Sequence, residues 1–137
     1  MSSERGSLSL FALVIATALF GATGLVIDGA AGISAASRAS DIAEDAARAG
    51  ALTGSNPGTS GLVGVDESGA REAAAAWLAR EGIDPSDARI TVTPDVVTVV
   101  ITMRRETMLL RLAGVPELNV EGVGAARRAS GITKEGG

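Results

Sequence analysis

From Ser7 to Ile27 the chain reads SLSLFALVIATALFGATGLVI, 21 residues without a charge, set between Arg5 and Asp28. At about 1.5 Å of rise per residue a helix of that length covers roughly 30 Å, the hydrocarbon thickness of a bilayer. In lipid a backbone satisfies its own N–H and C=O groups only in a helix or a closed barrel, so helix is the expected form. From Asp28 to about Leu52 the chain stays alanine-rich and proline-free. The expectation is therefore one long helix, apolar in its first half and small and polar in its second.

The flanks give this helix an expected direction. The short leader 1–6 carries Arg5 and the terminal amine, whereas no basic residue follows the stretch until Arg38. Positive charge marks the cytoplasmic side, and acidic residues count for little. The expected location is the cell membrane, single-pass, with the N-terminus cytoplasmic and the C-terminal part extracytoplasmic.

Small residues recur along the helix at spacings that let another backbone approach closely. Within the stretch these include Ala18, Gly21 and Gly24; from Val26 near its end onward, Val26, Gly29, Ile33, Ala36, Ser40, Ala43, Ala47 and Gly50 alternate steps of three and four, the a/d seam of a heptad whose residues are almost all small. Arg38, Asp41, Glu44, Asp45 and Arg48 stand off that seam, with Glu44 and Arg48 in the favourable i,i+4 order.

The breakers Gly54 to Gly61 must follow the end of the helix, so residues 53–65 read as a linker and 66–129 as a small domain. Its first element is a helix capped by Ser68 and stopped at Gly82, with Ala73, Ala76, Trp77 and Arg80 along one side and Trp77 and Leu78 as its apolar bulk. Period-two alternation then places Ile90 and Val92 in one strand and Val97, Val99, Ile101 and Met103 on one face of a second, joined at Pro94-Asp95. A third strand carries Leu118 and Val120 and is weakened by Gly122 and Gly124. Between the last two strands, Met108 to Leu112 form an apolar cluster open to three readings, core, membrane-facing or docking patch, of which core is favoured because apolar loop residues usually complete a small domain; residues 130–137 read as a loose tail. Three strands cannot bury a face alone. The expected architecture is α+β: a long N-terminal helix backing a small antiparallel sheet of about three strands, with a second helix.

Composition narrows the function. Cysteine and histidine are absent, and the one lysine, Lys134, lies in the tail. This removes thiolate, imidazole and Ser–Lys chemistry together, so an enzyme, a metal site or a cofactor is not expected. The net charge of −4, without a basic stripe, makes nucleic acid an unexpected partner.

Arg5-Gly6, the apolar run directly after it, ASRASDIAEDAARAGAL, and the later AREAAAAWLAREG with its Thr/Val-rich hairpin together resemble the TadE/TadG-like pseudopilins of the tight-adherence (Flp, type IVc) pilus system. The resemblance implies a pseudopilin-like fold, other pilin or pseudopilin subunits and pilus assembly proteins as partners, and cleavage by a prepilin peptidase after Gly6, leaving Ser7 first. One departure stands out. The fifth residue of the processed chain, usually glutamate in type IV prepilins, is Phe11, so a permanently anchored assembly component fits as well as a filament subunit. Two other readings stay open at this level. One is a secreted binding module whose residues Leu8 to Phe20 are a signal-peptide core cut near Ala30-Ala31-Gly32. The other is a membrane-anchored factor unrelated to pili.

Overall fold

The computed structural model describes residues 3–53 and 66–127. The expected linker beyond Thr53 and the tail 130–137 lie outside the described residues. Helix α1 spans Ser3–Thr53 and α2 Glu67–Arg80; strands β1 (Ala88–Val92), β2 (Val96–Glu106) and β3 (Glu117–Arg127) form one sheet in the order β1-β2-β3. The fold is α+β, with a long apolar N-terminal helix, a second helix and a three-stranded antiparallel sheet. Two compact units divide it: residues 1–35 with 104–120, and residues 36–103 with 121–137.

In the second unit a core forms between helices and sheet. β1 and β2 pair antiparallel in the register Ala88 to Ile101 through Val92 to Val97, closed by a turn in which the Thr93 amide donates to the Val96 carbonyl. Alternation sends Val97, Val99 and Ile101 inward, where they are fully buried. Ala43, Ala46, Ala47 and Ala51 of α1 and Ala70, Ala74 and Leu78 of α2 meet them. Trp77, Ile90, Val92 and Met103 pack half-buried around this centre.

The alanines decide how closely these layers approach, and β3 shows the limit. A Cβ at Gly122 would lie closer than 3.0 Å to Ala39, and one at Gly124 equally close to Ala43 and Glu44. The two glycines that weaken β3 by propensity are therefore what lets its backbone lie directly on α1.

Two local expectations are corrected here. α2 is capped by Asp66, not Ser68: the Asp66 carboxylate accepts from the Gly69 amide at 3.3 Å, and Ser68 Oγ donates to it at 2.8 Å. A carboxylate at the positive end of a helix competes well with a hydroxyl for the cap. The buried side of α2 is Ala70, Ala74 and Leu78, with Ala76 and Arg80 exposed, because the larger Leu78 takes the interior and turns the helix toward it. The helix stops as expected at Gly82, whose φ is 75°.

Candidate functional site: a carboxylate latch at the end of the apolar segment

The first unit is organised differently, because most of its helix has no protein around it. Side chains from Leu8 to Ile27 are exposed, Phe20 at 77%. The hydroxyls of Thr17 and Thr23 donate to the carbonyls of Leu13 and Leu19, each at 2.8 Å, so both threonines are satisfied within the helix. One apolar N-terminal helix of this length is a candidate membrane anchor.

At the end of that stretch the helix acquires a neighbour. Gly24 and Asp28, four residues apart and so on one face, are buried, Asp28 to 5% exposure. Leu109 sits on Gly24, with its Cβ 3.0 Å from where a Gly24 Cβ would stand. One turn further, Asp28 Oδ1 accepts from the Met108 amide at 2.9 Å, and Oδ2 accepts from Leu109 at 2.9 Å and Leu110 at 2.7 Å. These amides open a short 3₁₀ turn, Leu110–Ala113, which no side chain of its own caps. Asp28 thus supplies from another element the anionic cap the turn lacks.

The rest of the loop closes on itself. Thr107, buried, donates its amide to the Pro116 carbonyl at 3.0 Å and its hydroxyl to the Val115 carbonyl. Val115 donates to Leu110 at 3.0 Å, and Gly114, at φ 90°, donates to Arg111 at 3.1 Å.

Electrostatics follow from this geometry. The Asp28 carboxyl is held below its ordinary 3.8 first by the Leu110 amide and then by the Met108 amide; burial pushes the other way, and the Leu109 amide and the charge of Arg105 add to the lowering. Hydrogen bonds to a charged acceptor are about twice as strong as neutral ones, and Asp28 accepts three. Chemically the group is a latch between a helix and a loop 80 residues away in sequence.

The Met108 to Leu112 cluster, expected as core, is corrected. Met108 is 75% and Leu112 83% exposed, and Leu109 and Leu110 are half-buried. The 3₁₀ turn sets Leu109 against Gly24 and leaves the Met108 and Leu112 side chains outward.

The residues expected to pack helices divide by position. Gly6 and Ser7, the expected cleavage pair, lie inside α1 and are exposed, as are Ala18 and Gly21. Gly24 is covered by Leu109; Gly29 and Ala36 are half-buried, Ile33 is 75% exposed, Ser40 is half-buried, and Ala43 and Ala47 are fully buried. The buried face of the first unit is Gly24, Asp28 and Gly32, not the Val26, Gly29, Ile33 line of the heptad. A straight helix turns once in 3.6 residues, so a strict 3.5 seam drifts by about 20° per heptad. Of the expected domain residues, Leu78, Val97, Val99 and Ile101 are buried, and Leu118 and Val120 are half-buried.

Among the described residues no three His, Cys, Asp or Glu side chains come together as metal ligands. The groove along α2 offers Arg71, but its guanidinium already binds Glu67 at 2.9 Å and the Ile90 carbonyl at 2.7 Å. No protein-family model matches the chain, and neither does any curated protein or solved structure.

Proposed function

We propose that the chain is a single-pass membrane protein, N-terminus cytoplasmic, acting as a minor pseudopilin or membrane-anchored assembly component of a Tad/Flp-type pilus or related secretion machine. Its work is structural: helix packing in the membrane and presentation of a small α+β unit outside it, with no catalytic step. The observation that carries this reading is the division of α1, one unbroken 51-residue helix whose apolar first half exposes its side chains while its second half is built into a sheet-backed core.

Two features support helix packing as the mode of action. Ala18 and Gly21 are exposed, and space is open around Gly21 and Gly29, so a neighbouring helix can approach there. No such room exists at Gly24, which Leu109 already fills.

The test is photo-crosslinking in cells from a light-activated amino acid at Ala18 or Ile33. Adducts to other subunits with apolar N-terminal helices are expected; recovery of no such adduct from either position sinks the reading. The mass of the mature N-terminus separates its two forms. A start at Ser7 identifies a processed pseudopilin, and a start at Met1 or Ser2 identifies an anchored assembly component.

A further inference from the structure

We propose that the Met108–Val115 loop is a second membrane contact, resting its exposed apolar side chains in the interfacial layer of the leaflet from which α1 emerges. The inference builds on the membrane reading above and goes beyond it, since that reading requires only the helix to touch lipid.

Depth is the first argument. Leu109 packs on Gly24, three residues inside an uncharged stretch that ends at Ile27. At about 1.5 Å per residue that is roughly 4.5 Å below the end of the apolar segment. Elements that lie in a membrane interface bury their apolar side by about 5–10 Å, so a loop held at Gly24 is at the right level.

Backbone satisfaction is the second. Met108, Leu109 and Leu110 give their amides to Asp28; Leu112 donates to Leu109, Gly114 to Arg111 and Val115 to Leu110. A loop whose donors are already paired can lie against lipid, which offers none of the partners that water does.

Side-chain chemistry is the third. Between Thr107 and Pro116 the only charge is Arg111, set among Met108, Leu110, Leu112 and Val115. Arg111 is exposed, and among the described residues it forms no ion pair. Its apolar stem can lie along lipid while the guanidinium reaches the headgroups. An apolar tip with one long cation suits an interface better than it suits water, where Met108 and Leu112 at 75% and 83% exposure gain nothing.

The absence of cysteine permits a direct test on the full chain. Leu112→Cys and, separately, Phe20→Cys carry a spin label in vesicles of phosphatidylcholine and phosphatidylglycerol, and collisions with oxygen and with a water-soluble nickel chelate are compared. The label at Leu112→Cys is expected to meet oxygen more often than chelate, in the same sense as at Phe20→Cys. A label at Leu112→Cys that meets mainly chelate while Phe20→Cys reports lipid overturns the loop contact and leaves the anchor intact. Shielding of Leu112→Cys from both reagents overturns it in favour of a protein partner. Chelate access at both positions overturns the membrane reading itself.

Discussion

A carboxylate at Asp28 ties two parts of the chain that sequence keeps far apart, and its charge state sets when that tie holds. Because its pKa is lowered in the folded protein, the stabilisation it supplies is present above the ordinary value near 3.8 and is lost as pH falls through the folded value. Thermal unfolding followed by circular dichroism should therefore be insensitive to Asp28 between pH 5 and 8 and should weaken below about pH 4. Asp84, lowered by the hydroxyl and amide of Ser86, contributes a background of the same sign. Asp28→Asn should lower the melting midpoint at neutral pH and flatten the acid-side decline to that background; an unchanged pH profile would show that the latch is not a charged acceptor. The sequence makes Asp28 visible only as the first charge after an apolar stretch. Nothing local pairs it with amides 80 to 82 residues later, because backbone donors carry no side-chain signature. The i,i+4 spacing of Gly24 and Asp28 is the one trace that could have marked a buried face.

At the scale of elements, close approach is bought with missing side chains. Gly124→Ala places a Cβ against Ala43 and Glu44 of α1, where backbone must move, and overpacking of this sort costs about 1–3 kcal/mol, sometimes more. Chemical denaturation should find that loss, while the same change at Gly21, around which space is open, should leave stability within about 0.5 kcal/mol. Ile101→Ala, at the centre of the core, should cost about 2–5 kcal/mol. Replacing the helix cap, Asp66→Ala, should cost about 0.5–2 kcal/mol, and Ser68→Ala less, since Ser68 bonds the Asp66 side chain and not the helix amides. The strands were readable because Val97, Val99 and Ile101 alternate strictly and Pro94-Asp95 separates them from β1. The face of α2 was less so: in a helix made mostly of alanine nearly every side can be buried, and only Leu78 against the sheet breaks the tie. The Met108 to Leu112 cluster is ambiguous for a related reason, since apolar residues in a loop read alike whether they are buried in a core or exposed at a surface.

In the whole molecule one 51-residue helix joins an apolar, exposed half, a candidate membrane anchor, to a half built into a sheet-backed core. Length and absence of charge between Ser7 and Ile27 were legible at once, because lipid imposes a requirement that few sequences meet by accident. The cooperation of the outer half of α1 with a sheet was legible in outline, since three strands need a covering face and the alanine seam offers one. The partners of the proposed membrane helix are written in no single residue, because small side chains permit contact without choosing it. Cysteine accessibility decides the proposed topology. With Ser86→Cys or Ser7→Cys introduced singly into the full chain, positions that both the processed and the unprocessed form keep, intact cells are treated with a membrane-impermeant maleimide and then lysed and treated again. Ser86→Cys should be labelled from outside, Ser7→Cys only after lysis, and both proteins should stay with the membrane pellet in alkaline carbonate. A soluble product starting near Ile33, or Ser86→Cys protected until lysis, would contradict that topology.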